Sequence, residues 1–326
     1  MSLTSCEEQY IQQTAFYHWK TNLAPSPVDQ LYLDSLAVRK LYLKFFDVDW
    51  SPSHRQTVPS AEIVWQATDW QDFEIVPTVF ITNETFKQLE EESLALFAEQ
   101  VQKKIKTLSK NHPFQEIQID CDWTQSTRDK YFQFLRLLKA LFPKQSIFVT
   151  IRLHQIKYPK QAGVPPVSRG MLMYYNVGEI GQWESKNSIY EADIAADYIE
   201  RLADYPLELD VALALFHWGL VFRDDALFKI VNHLSERDLK DATRFKHMAD
   251  QRYKVVQNTY LNGHYLYIDD LIRLETINAQ QLQAMVQQLS TKLAKNNRTV
   301  AFYHLDERVL SDWEWTALKV ALEGLK

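Results

Sequence analysis

The chain has 326 residues, 46% hydrophobic and 24% charged, with a formal net charge of -6. Those values belong to a folded globular protein with a substantial core, not to a disordered chain. Without a long basic run nucleic acid is not expected as a partner. Only 7 glycines occur, in neither a G-x-G-x-x-G nor a G-x-x-x-x-G-K-[ST] pattern, so a phosphate-cradling nucleotide loop is excluded and no cofactor is expected.

At the start of the chain, Leu3-Thr4-Ser5-Cys6 followed by Glu7-Glu8 resembles the lipobox at which bacterial lipoproteins are cleaved and lipidated on Cys. The expectation is a tether over residues 1–14 with a lipid anchor at Cys6 as the one membrane attachment. The protein would then face the periplasm or the cell exterior. If the four-residue match is chance, the chain is cytoplasmic. No run of about 18 apolar residues occurs to span a bilayer. Two cysteines are too few for a disulfide framework, and Cys121 reads as an inert buried thiol.

From residue 15 to 326, apolar runs of strand length alternate with helical patterns, which predicts one α/β domain with a parallel sheet wrapped by helices. The expected strands are Ala15–Trp19, Lys40–Asp47, Phe73–Ile81, Glu116–Asp122, Ser146–His154, Met171–Asn176, Asp210–Trp218 and Thr299–Asp306. A long helix is expected over Glu84–Leu108, and another runs from Ser126 or Thr127 to Phe142, where Pro143 stops it. Further helices are expected over Ile189–Ala203 and Trp313–Leu325. Eight strands in this order predict a (β/α)8 TIM barrel. About 80 residues separate the last two strands, far more than a plain βα connection of two to six residues plus one helix requires. Within them Leu261-Asn262-Gly263, flanked by Tyr253–Tyr260 and His264–Asp269, signals a two-residue hairpin. An insertion over about 224–297 is expected, a hairpin with helices on either side over the barrel's top.

The chemistry is expected where barrels keep it, at the C-terminal strand ends. On the fourth strand Gln118, Asp120 and Asp122 share one face and Ile117, Ile119 and Cys121 the other. Two carboxylates two residues apart repel, and such a pair has one raised pKa, suited to a proton donor. Arg152 on the next strand is the natural partner of Asp120. It would hold Asp120 ionised and leave the proton on Asp122. Tyr175 and Asn176 close the sixth strand, and Glu179 is the nearest spare acid. Trp19, Trp123 and Trp218 fall at strand ends, where aromatic faces can pack against sugar rings or close the barrel's top layer.

Asp120-Cys121-Asp122-Trp123 resembles the D-x-D-W core of the D-x-x-D-x-D-W-E signature of family 18 glycoside hydrolases, the chitinase superfamily. Met173-Tyr174-Tyr175-Asn176 is similar to that family's M-x-Y-[DN] motif on the sixth strand. The resemblance covers only the barrel core. It implies that Asp120 and Asp122 support catalysis and that Tyr175 and Asn176 contact substrate. Two positions depart from it: Ile117 stands for the first Asp, and Thr124 stands for the Glu that serves the family as general acid.

Three readings follow. The first is a glycoside hydrolase acting on a polysaccharide, with Asp122 or Glu179 as relocated acid, Asp120 as electrostatic partner and Arg152 tuning the pair. The second is a glycan-binding barrel without turnover. The third is a metal-dependent hydrolase drawing on His18, His154, His217 and His304 with Asp120, Asp122 and Asp306. No H-x-H or H-E-x-x-H spacing supports that set, and core or rim histidines are the better expectation. The first reading, with carbohydrate as partner and no metal, is the one the residues favour.

Overall fold

Eight parallel strands close into a ring in the computed structural model, which describes residues 10–66, 70–109 and 112–325; the Cys6 motif lies outside the described residues. In chain order they are β1 (Gln12–His18), β2 (Lys40–Ser51), β3 (Glu74–Ile81), β4 (Glu116–Asp120), β5 (Ser146–Arg152), β6 (Arg169–Tyr174), β7 (Glu208–Ala214) and β8 (Arg298–Tyr303). Each pairs with its neighbour in sequence. The ring closes where β1 pairs on one side with β8, Gln12 opposite Arg298, and on the other with β2, Ala15 opposite Lys40. The fold is an α/β (β/α)8 barrel. Such strands are buried on both faces and read as nearly continuous apolar runs, as in Leu41–Leu43 and Val211–Leu215.

Inside the ring the side chains interdigitate. Tyr17 stacks on Tyr42 with ring centroids 4.8 Å apart, and its hydroxyl donates to Gln118 Oε1 at 2.8 Å. Outside, the amphipathic helices Leu94–Ser109 and Arg128–Leu141 lay their apolar stripes on the sheet through Phe97, Val101, Ile105, Phe134, Leu135 and Leu138. The single helix expected over Glu84–Leu108 is two helices, Asn83–Gln88 and Leu94–Ser109, because the backbone turns extended at Leu89 and buries that side chain. The helix expected over Ile189–Ala203 is shorter, Ala192–Tyr198. Strand β2 outruns its expected end and folds back on Gln56–Ser60 as an antiparallel ribbon.

The insertion is a different object from the expected one. β7 ends at Ala214, and Trp218 opens a separate antiparallel sheet. Its five strands lie in the order Ala226–Asn232, Trp218–Arg223, Leu271–Glu275, Arg252–Val255 and Phe245–His247. They enclose a small core of their own, including Val221, Val231, Leu234, Val255, Leu266 and Ile272. A short hairpin does turn at Asn262-Gly263, both at positive φ (46° and 81°), as a two-residue turn of this kind requires. The helix Ala279–Ser290, which falls within the expected insertion, instead packs on the closing helix Trp315–Glu323 as part of the barrel's outer layer. None of the described helices is long and apolar enough to cross a membrane.

Candidate active site

The C-terminal ends of the strands surround one cavity of about 420 Å³. Asp120 closes β4 with its carboxylate turned into the ring. Thr150 Oγ1 donates to its Oδ1 at 2.6 Å and Arg152 Nη2 to the same oxygen at 3.2 Å. Asp122 lies beyond the last ladder hydrogen bond of β4 and still reaches the cavity. There it accepts from Arg152 Nε. One guanidinium therefore serves both acids, with Asp120 5% exposed and Asp122 52% exposed at the side chain.

That difference gives the two acids unlike electrostatic surroundings. Burial pushes the Asp120 carboxyl above its ordinary value against the pull of Arg152, and the Asp122 charge adds to the push. Burial works against the Arg152 charge too, but the two carboxylates more than offset it and hold its pKa above the usual arginine value. Asp120 is therefore the desolvated acid of the two, its carboxyl raised by burial, and Asp122 is the solvated partner of Arg152.

Aromatic side chains make the walls. Tyr175, almost fully buried, packs against Phe216 and Tyr303 with centroids 5.6 Å away in each case. Trp19 stands 5.6 Å from Tyr303, with Lys44 Nζ 5.6 Å from its ring on β2. Trp218 borders the cavity next to Phe216 and donates its indole N–H to Glu275 Oε2 at 2.7 Å. Asn176 lines the mouth at a φ of 57°.

Two sequence-derived candidates lie elsewhere. Trp123 is wholly buried, stacked on Tyr131 at 5.1 Å with its N–H on the Ala162 carbonyl at 2.8 Å. Strand alternation lapses once β4 ends at Asp120, so the ring turns toward the helices and cannot stack on a ligand. Glu179 sits exposed in the loop after β6, outside the cavity lining. Thr124 is also turned away, its hydroxyl 3.0 Å from Ser126 Oγ.

The opposite wall is built from β1, β8 and the inserted sheet. It brings together His18, His217, His233, His304 and Asp306. Burial lowers all four imidazoles, His18 to about 4 and His304 to about 3. Burial would raise Asp306, but hydrogen bonds from Arg308 and the Lys20 charge hold it well below the usual carboxylate range. Lys20 Nζ lies 3.1 Å from its Oδ1 and Arg308 Nη2 2.9 Å from its Oδ2. His154 is not part of this group: the chain turns helical at Leu153 and His154 is exposed.

The sequence reading missed His233 and Glu275, both on the inserted sheet. Glu275 Oε1 accepts from Arg273 Nε at 2.8 Å and from the Ser188 backbone N–H at 2.9 Å. Its Oε2 accepts from Ser188 Oγ at 2.5 Å as well as from Trp218. This wholly buried node locks the insertion to the loop after β6 and fixes the Trp218 ring at the cavity rim.

The same barrel architecture is found in solved structures of other proteins. It matches the spore cortex-lytic enzyme SleL of Bacillus megaterium QM B1551 with a TM-score of 0.59 at 12% identity, over 98% of this chain and 75% of that one. The SleL of Bacillus cereus gives 0.58 at 12%, over 97% and 75%. The chitinase of Chromobacterium violaceum ATCC 12472 gives 0.55 at 10%, over 95% and 98%. At such identities the likeness establishes the fold. No family model matches the sequence, and no curated protein matches it.

Proposed function

We propose that the protein is a glycoside hydrolase-like carbohydrate-active barrel whose mouth takes a polysaccharide segment and protonates a glycosidic oxygen from the Asp120–Asp122 pair. The observation that carries this reading is the pair itself: two acids on one arginine, unequally solvated, at the edge of a cavity walled by Trp19, Tyr175, Phe216, Trp218 and Tyr303. Sugar rings offer apolar C–H faces to such walls, and their hydroxyls pair with carboxylate and amide groups such as Asp122 and Asn176. Asp120 holds the transferable proton. The Asp122 charge favours the protonated form before transfer, and Arg152 stabilises the charge left on Asp120 afterwards. The structural neighbours that act on chitin and on spore cortex support glycans of those kinds as the first substrates to try.

A second reading, glycan binding without turnover, is favoured by one specific observation. Thr124, which by the motif resemblance stands for the family's acid, turns its hydroxyl out of the cavity. Ground-state binding survives the loss of a general acid, since turnover needs interactions made only in the transition state. Calorimetric titration with chitin oligosaccharides and solubilised cortex glycan, with product analysis of the same mixtures, separates the two. Binding with cleavage that is lost in Asp120→Asn supports the hydrolase. Binding with intact sugars throughout supports the lectin-like barrel, and no binding to any of them contradicts both.

A further inference from the structure

The wall across the cavity from Asp120 carries a cluster that glycan protonation does not use. One ring nitrogen of His233, one of His304 and one carboxylate oxygen of Asp306 all lie within 4.8 Å of one another. His217 borders them, its ring 6.1 Å from that of His233, and the His233 and His304 rings are also 6.1 Å apart. The Nδ1 atoms of His18, His233 and His304 are buried without a hydrogen-bond partner. Leaving such an atom unmet costs about 1–3 kcal/mol, so this wall holds polar side chains with unused binding capacity.

We propose that His233, His304 and Asp306 form a binding site for a divalent transition-metal ion, with an open coordination position facing the cavity. Two imidazoles and a carboxylate select zinc and its first-row neighbours over calcium and magnesium, which prefer oxygen cages. Metal–nitrogen and metal–oxygen bonds of about 2.0–2.2 Å set tetrahedral ligand atoms about 3.4 Å apart, so the three groups must close by about 1 Å. His233 can supply that movement: it is half-buried, at a φ of 58° in the turn after Ala226–Asn232. Neutral imidazole and ionised carboxylate are the forms that ligate such an ion.

Arg308 is the competitor. Its Nη2 holds Asp306 Oδ2, the oxygen 3.8 Å from His233 Nε2. Because the Arg308 side chain is 58% exposed, it can swing into solvent as the ion enters. Lys20 stays on Oδ1 and keeps the carboxylate charged. The site does not depend on the Asp120–Asp122 chemistry, so either can fail without the other.

The test is calorimetric titration of tag-free, chelator-treated full-length protein with Zn²⁺, and with Ca²⁺ in parallel. One equivalent of Zn²⁺ should bind, with Ca²⁺ silent. His233→Gln should weaken Zn²⁺ at least tenfold. Arg308→Ala, which frees the carboxylate without touching the fold's interior, should tighten it about tenfold. Melting curves confirm that each variant is folded. The proposal is overturned if neither the native protein nor Arg308→Ala binds one equivalent, if His233→Gln binds as tightly as the native chain, or if Arg308→Ala fails to tighten binding.

Discussion

Both ends of the barrel bury charge, and they do so to opposite effect. At the N-terminal end Lys40 is almost fully buried, with Nζ 3.1 Å from Glu74 Oε1 and 2.5 Å from Glu116 Oε2. Asp210 accepts from the Thr299 backbone N–H at 2.6 Å. Lys40 and Asp210 are both met by groups on other strands of the ring. At the C-terminal end Asp120, Asp122 and Arg152 meet one another at the edge of a cavity, and across it three imidazole nitrogens meet nothing. In this fold the first end serves stability and the second chemistry. The difference lies less in the amount of charge than in whether its partners leave room for a ligand.

That comparison breaks most visibly under truncation of the two central cations. Arg152→Ala strands the buried Asp120 and Lys40→Ala strands Glu116. Removal of one partner from such a pair costs about 3 kcal/mol, read as a lower midpoint in urea unfolding. Only Arg152→Ala should also abolish glycan binding in the folded fraction; equal binding by both variants would erase the distinction between the ends. A comparable effect is expected from pH at the closed end. Burial raises Asp210 to about 6 from an ordinary 3.8. The folded state therefore holds this proton more tightly than the unfolded chain. The stability it brings is full below pH 3.8 and is lost as pH rises through about 6, up to about 3 kcal/mol in all. In Asp210→Asn the melting temperature should lose this downward step between pH 4 and 7; an unchanged profile would remove Asp210 as its source.

The smallest effect belongs to the open end's walls. Trp19→Ala should weaken oligosaccharide affinity about tenfold, the contribution of one aromatic face, with the unfolding midpoint moving far less than in the cation variants. Unchanged affinity would leave Trp19 as packing for Tyr17 and Tyr303 only.

The ring of strands was legible in the sequence because apolar runs of one length recur between helical stripes, and strand alternation put Gln118, Asp120, Thr150 and Arg152 on the inner face. Legibility stopped where alternation stopped. Trp123 was misplaced because β4 ends three residues before it, and His154 because β5 becomes a helix at Leu153. The inserted sheet went unread because its central pairings join distant segments, such as Trp218 with Glu275, and its tight turn at Asp224-Asp225 lacks the glycine that marks the separate Asn262-Gly263 hairpin. For the same reason His233 and Glu275 had no signal: His233 comes to the cavity and Glu275 to the Trp218 ring through contacts that spacing along the chain does not encode. The unequal burial that raises Asp120 is a tertiary property, which two residues on one face of a strand cannot reveal.

The most direct measurement is the pH dependence of glycan cleavage by the native protein and by Asp120→Asn. The native rate should fall as pH rises and Asp120 gives up its proton, while the Asn variant keeps its oligosaccharide affinity and loses cleavage at least a hundredfold, the usual worth of a positioned acid. Cleavage by the Asn variant at the native rate, or a native protein that neither holds nor cuts any saccharide offered, would contradict the account.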